Sequence, residues 1–293
     1  MTIRRGRMPS FEAMIRVRDA LGRDVTLSRP AQRVVSLVPS ETESVAALAG
    51  VERLVGRTSY CEEPAGEIAR VPVIGGTKTI DAGAVLALAP DLVLANQEEN
   101  SERDVARMID AGLSVHVSFP CTVAASIAYL RALVALLGLG AEGEARVAAL
   151  EARIAPPSGS RRLFVPIWRD PWMTFDARTY ASDLLAHAGA LNVFADRARR
   201  YPLAADLGEA PPREPGDRDT RYPRTRPEEI VSRSPDIVLL PDEPYAFGEA
   251  DVADVEAWGL DAALERVSGK DLFWYGVRTA GAIERVRARL DRA

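Results

Sequence analysis

Two short segments of this chain nearly repeat one another. Ala89-Pro-Asp-Leu-Val-Leu94 returns as Ser234-Pro-Asp-Ile-Val-Leu239, and Ala46-Ala-Leu-Ala-Gly-Val51 returns as Leu185-Ala-His-Ala-Gly-Ala190. The offsets are 145 and 139 residues (236 − 91 and 189 − 50), and the order is the same. So long a period excludes a solenoid and suits two copies of one α/β unit. At 293 residues the chain can bury a sizeable core in one large domain or in two smaller ones.

Between the copies lies Thr122–Ile154. Its apolar residues Ile127, Leu130, Val134, Leu137, Val147, Leu150 and Ile154 recur at helical spacing, with a break at Gly138–Gly140 and a stop at Pro156-Pro157-Ser158-Gly159. The expected organisation is an N-terminal α/β lobe over residues 1–120, a helical connector over 121–160 and a C-terminal α/β lobe over 161–293. A ligand would be held in the cleft between the lobes.

Strands alternate with helices of about ten residues, which indicates parallel sheets. In the first lobe the pattern predicts a hairpin over 14–27 and a buried strand over 33–38 ended by Pro39. Ser40 and Glu43 fit a capping box before a helix over 41–49. Strands follow over 51–56 and 71–74, a helix over 81–88, a strand over 91–95, a helix over 101–111 and a strand over 114–119. In the second lobe the pattern predicts a strand over 162–168, a helix over 179–188 and a second Pro-Asp strand. Further helices are expected over 251–264 and 277–291, with a strand or loop ending at Phe273–Gly276. Residues 209–226, rich in Pro, Arg and Asp, read as an exposed, mobile loop with solvated charges.

Ligands of open α/β sheets bind at the carboxyl ends of the strands. That rule selects Ser40, Glu41, Tyr60, Gln97 and Glu98 in the first lobe, and Trp168, Arg169, Trp172, Tyr245, Trp274 and Tyr275 in the second. Large aromatics with a few charged groups suit a flat, partly apolar ligand. Each has a plainer reading: Ser40 as a helix cap, the aromatics as plugs over the sheet ends. His116 and His187 read as structural, and no GxSxG, P-loop or GxGxxG motif occurs. Cys61 and Cys121 lack metal-ligand spacing and read as free thiols, so no metal site is expected. The net charge of −5 argues against nucleic acid as a partner. The N-terminal residues carry no apolar run of signal-peptide length, and no 18-residue apolar span occurs. Read literally, this predicts a cytoplasmic protein with no membrane insertion.

Several segments together carry a family resemblance. They are Asp19-Ala-Leu-Gly-Arg23, Arg33-Val-Val-Ser-Leu-Val-Pro-Ser-Glu-Thr-Glu43, Gly56-Arg-Thr-Ser-Tyr60 and Ala89-Pro-Asp-Leu-Val-Leu94. From about residue 15 to 290 the chain resembles the substrate-binding proteins of iron-siderophore and cobalamin ABC importers, the helical-backbone metal receptor superfamily, and within it the cobalamin-binding branch. The resemblance implies two Rossmann-like lobes joined by a helical backbone, as in class III periplasmic binding proteins. It also implies a monomer with no covalent cofactor, a corrinoid or Fe(III)-siderophore as ligand, and an ABC permease as partner. Tyr60 and Trp274 match cleft aromatics of that branch, whereas a first-lobe cleft tryptophan is replaced near Thr77. Glu228 stands where a second-lobe glutamate docks on the permease; the first-lobe counterpart is Gly83, with Asp81 the nearest acid. Two further readings are a chelatase-like enzyme, which needs a histidine and an acid together in the site, and a cytosolic chelate sensor or carrier that serves no importer.

Overall fold

The structure, a computed structural model, describes residues 14–292. It divides into two compact units. One holds residues up to Phe119 together with Arg131–Ala145, and the other holds Pro120–Leu130 and everything from Arg146 onward.

The first unit opens with an antiparallel pair, β1 (Ile15–Arg18) and β2 (Asp24–Leu27). The Asp19-Ala-Leu-Gly-Arg23 turn closes because the Asp19 carboxylate accepts hydrogen bonds from Leu21 N, Arg23 N and the Arg23 guanidinium, while Gly22 takes a positive φ of 74°. Next come β3 (Val34–Ser36), helix α1 (Pro39–Ala49) and β4 (Leu54–Arg57). A small hairpin, β5 (Gly75–Gly76) with β6 (Thr79–Ile80), leads to α2 (Ala82–Ala87). Then follow β7 (Leu92–Asn96), α3 (Glu102–Asp110) and β8 (Val115–Ser118). The sheet is parallel throughout, in the order β4-β3-β7-β8. All residues of β3, β7 and β8 are buried. β3 and β7 are apolar up to a polar last residue, Ser36 and Asn96, as strands covered on both faces tend to be, whereas β8 carries His116 and Ser118 between and after its valines.

Helix α4 (Val123–Leu137) and α5 (Gly140–Glu151) realise the helical pattern. The break falls at Gly138, which has φ +67° and lies where a Cβ would stand 2.4 Å from Pro30 Cγ.

The second unit contains β9 (Arg161–Phe164), β10 (Trp172–Met173), α6 (Tyr180–Ala188), β11 (Ala190–Asn192), α7 (Leu203–Asp206) and β12 (Arg224–Thr225). It continues with α8 (Pro227–Ser232), β13 (Ile237–Pro241), α9 (Glu249–Glu256), β14 (Ala263–Val267), α10 (Gly269–Phe273) and α11 (Thr279–Leu290). Its parallel sheet runs β11-β9-β13-β14. Numbered within each unit, both sheets have the order second, first, third, fourth, as two copies of one fold require. A core of Phe164, Phe194, Phe247, Val238, Leu240 and Ile230 fills one face of the second sheet.

The Pro-Asp repeat has a shared local structure. In the first unit Asp91 accepts from Gln32 N and Arg33 N, and the Arg33 guanidinium donates to the carbonyls of Leu88 (2.6 Å) and Ala89 (3.3 Å). In the second, Asp236 accepts from Arg162 N, and Arg162 donates to the carbonyls of Arg233 (2.5 Å) and Ser234 (3.1 Å). The residue before each proline takes the left-handed conformation, Ala89 at φ 43° and Ser234 at φ 44°. Each clasp joins the start of a unit's first strand to the start of its third.

Five expectations need correction. Helix α1 starts at Pro39, with Val38 as its cap, so Ser40 caps nothing. Proline's fixed φ suits the first helical position, and it starts the helix there instead of merely ending the strand. Residues 71–74 contribute one bridge, Val73 to Arg57, and no strand. Residues 251–264 divide into α9 and the start of β14, and Phe273 ends a helix. Residues 209–226 are held down: Thr174 N donates to Pro223 O (3.0 Å), Asp176 N to Arg221 O (2.8 Å), Arg199 N to Thr220 O (2.7 Å) and Arg213 N to Tyr201 O (2.7 Å).

Candidate functional site

In a sheet ordered second, first, third, fourth, the crevice for a ligand opens between the loops that leave the first and third strands. In the second unit these are the loops after β9 and β13. The first is a tight hairpin: Ile167 N donates to Met173 O (2.8 Å) and Met173 N to Trp168 O (3.0 Å), with Asp170 in the left-handed region at the turn. The hairpin sends its two tryptophans opposite ways. Trp168 is 47% exposed. Its ring meets the edge of Tyr245, from the loop after β13, with centroids 5.7 Å apart. Tyr245 rests in turn on buried Phe247 at 4.7 Å. The two loops therefore place an aromatic pair across the switch point, one ring largely open to solvent.

Trp172 does not join them. It is buried, stacked on Phe247 at 5.9 Å and edge-on to Trp258 at 4.9 Å, and belongs to the core. Arg169 is occupied by two aspartates of α9, Asp251 at 2.5 Å and Asp254. Burial by itself would raise the Asp251 carboxyl, but the Gly248 N–H and Arg169 outweigh it and hold it below its usual range. Trp274 and Tyr275 are also buried. Lys270 and Arg278 lie over the Trp274 ring, and Tyr275 packs edge-on against Tyr129 and Tyr180.

In the first unit the corresponding loops follow β3 and β7. Here the early start of α1 turns Ser40 and Glu41 inward, and both are buried. Glu41 accepts a hydrogen bond from Ser118 Oγ at 2.5 Å, and Asn96 Nδ2 donates to the same hydroxyl. Asn100 bridges to the carbonyls of Leu37 and Thr77. These polar groups tie the two loops together, which makes Ser40 and Glu41 part of the framework. Gln97, Glu98 and Tyr60 are exposed, Tyr60 to 62%. Lys78 reaches the backbone carbonyl of Glu98.

The two acids matched to docking differ in their engagement. Glu228 is exposed in the first turn of α8, directly after Pro227. Its neighbour Glu229 is drawn into a network with Arg197 and Arg233. Asp81 caps α2, accepting from Ala84 N at 3.0 Å. Neither histidine lies on a strand-end loop. His116 is buried within β8, and His187, in the last turn of α6, is bonded through Nδ1 to Ala155 O at 2.6 Å. Cys61 is buried beside the hydroxyls of Thr42 (3.0 Å) and Thr58 (3.2 Å), and both cysteines are free thiols. Among the described residues no group of three or more His, Cys, Asp or Glu could hold a metal ion, and no helix is long and apolar enough to cross a membrane.

The periplasmic binding protein model matches residues 34–266. A vitamin B12-binding protein of Vibrio cholerae serotype O1 is 24% identical over 250 residues, covering 80% of this chain and 82% of that protein. The crystal structure of the periplasmic vitamin B12-binding protein BtuF of Vibrio cholerae superposes with a TM-score of 0.67 at 22% identity, over 90% of this chain and 98% of that one. The periplasmic haem-binding protein BhuT, solved with two haems, gives a TM-score of 0.71 at 21% identity, over 90% and 99%. These findings overturn the expected cytoplasmic location: the matched family and the solved relatives are periplasmic, which points outside the cytoplasm. The pattern of the N-terminal residues does not decide location. With its model matched over most of the chain, and with two parallel sheets of one order, this chain belongs to the periplasmic binding protein family.

Proposed function

We propose that the chain binds a tetrapyrrole-type metal chelate non-covalently, a corrinoid or a haem, and presents it to an ABC permease from outside the cytoplasm. The observation that carries this reading is the Trp168–Tyr245 pair across the switch point of the second sheet. An exposed indole supported by a second ring offers a flat apolar face to a macrocycle. Relatives named for vitamin B12 and haem binding supply the ligand class. Exposed Tyr60, Gln97 and Glu98 are the first unit's candidates, and exposed Glu228 is the candidate docking acid.

Absorbance titration of the purified protein with aquocobalamin, haemin and a ferric siderophore tests this. Trp168→Ala and Tyr245→Ala should each weaken the bound chelate several-fold, since one aromatic contact contributes about 1 kcal/mol. Trp168→Ala should leave the thermal midpoint nearly unchanged, because that ring is 47% exposed. A protein that shifts the spectrum of none of these ligands would refute the assignment.

A further inference from the structure

The loop that leaves β11 lies at the same end of the second sheet as Trp168, because the strands are parallel. Its strand β12 pairs with β10 and sets Arg224 opposite Met173, in the hairpin that carries Trp168. In this loop, arginines gather around Tyr201. The guanidinium carbon of Arg199 lies 4.4 Å from the ring centroid, and that of Arg218 lies 5.0 Å from it. Arg224 is near enough that, after burial, the Arg199 charge is the next cause lowering its pKa. The Nε of Arg199 is buried and meets no hydrogen-bond acceptor among the described residues.

Four other arginines near the loop are matched with acids. Arg169 holds Asp251 and Asp254, Arg178 holds Asp176, Arg221 holds Asp219, and Arg226 holds Glu209. Asp206, bonded to the backbone N–H of Arg224, is buried and already taken by Arg197 and by Arg200 N. Among the described residues neither Arg199, Arg218 nor Arg224 is ion-paired with a carboxylate. Holding like charges close together in a half-buried place is unfavourable unless an anion joins them. The planar guanidinium fork matches carboxylate and phosphate oxygens.

We infer that Arg199 and Arg224, with Arg218 beside them, form an oxyanion subsite that takes a carboxylate or phosphate arm of the chelate held at Trp168. The inference rests on the chelate-binding reading above. Arg169, neutralised by its two aspartates, does not serve this role.

The test pairs ligands that differ in the acidic arm. Haemin, with free propionates, is compared with its dimethyl ester, and cobalamin, with its phosphodiester, with cobinamide, which lacks it. In the pair that binds, Arg199→Gln and Arg224→Gln should each weaken the acid-bearing member about tenfold. The neutral member should be little changed. Arg199→Lys and Arg224→Lys, which keep the charge, should recover part of the loss, with circular dichroism confirming that every variant folds. Equal effects on both members, or none on either, would overturn the subsite and leave chelate binding intact. Stabilisation of the wild type by inorganic phosphate, lost in the glutamine variants while both members still bind alike, would overturn the assignment to a ligand arm in favour of a free anion. Failure of the wild type to bind any of the four removes both readings.

Discussion

His116 sits in the middle of β8, buried between Val115 and Val117. Burial pushes its pKa from 6.5 down to about 4; Arg23 lowers it further and Asp19 opposes. Its folded pKa lies below its unfolded one, so the unfolded chain takes up the proton first as pH falls. This residue therefore withdraws stability between pH 6.5 and about 4, and its contribution is level below that. The full effect is about 3 kcal/mol. Urea unfolding at pH 7, 5.5 and 4.5 should show His116→Val losing less stability with acidification than the parent. Parallel profiles would mean that the imidazole is charged in the folded protein. The same scale shows what single residues conceal. Trp168 and Trp172 look equivalent in sequence, yet one hairpin turns Trp168 outward and Trp172 into the core. That choice depends on the partner strand, Arg224–Thr225, which lies about fifty residues away in the chain. Arg224 was invisible for a related reason: the charged, proline-rich run 209–226 reads as solvated until its tertiary hydrogen bonds are known, and Arg199, which lies before that run, carries no local pattern that singles it out.

At the scale of elements, the Arg–Asp clasp carries a matched pair of predictions. Asp91→Ala removes the acceptor for Gln32 N and Arg33 N, and Asp236→Ala removes that for Arg162 N. Each should cost about 1–2 kcal/mol in urea unfolding. A variant as stable as the parent would show that its clasp only accompanies strand pairing. The entry to β9 is constrained at Gly159, which has φ +102° and lies where a Cβ would stand 2.0 Å from the carbonyl oxygen of Gly189. Gly189 closes α6 in the left-handed conformation, so backbone meets backbone and neither can yield cheaply. Gly159→Ala should lose about 2–4 kcal/mol, read as a lowered thermal midpoint. An unchanged midpoint would show that residues 158–160 rearrange freely. Elements buried on both faces, such as β7 and β13, were legible as apolar runs. β14 was not, because Glu265 and Arg266 interrupt it and only Val267 is buried.

For the whole molecule, the duplication was legible because the Pro-Asp motif does the same structural task in each copy. The sheet orders, by contrast, depend on pairings that no local pattern encodes. Two halves built alike also pose a problem during synthesis. Similar strands in one chain invite pairing with the wrong copy, a characteristic hazard of repeated folds. Here the first sheet is complete by Ser118 and its unit needs nothing beyond Ala145, whereas the second sheet begins only at Arg161. A nascent chain emerging from its amino end can therefore close the first sheet before any rival strand exists. The order of the halves along the chain thus acts as a schedule, and a refolding chain, with all its strands present at once, has no such schedule.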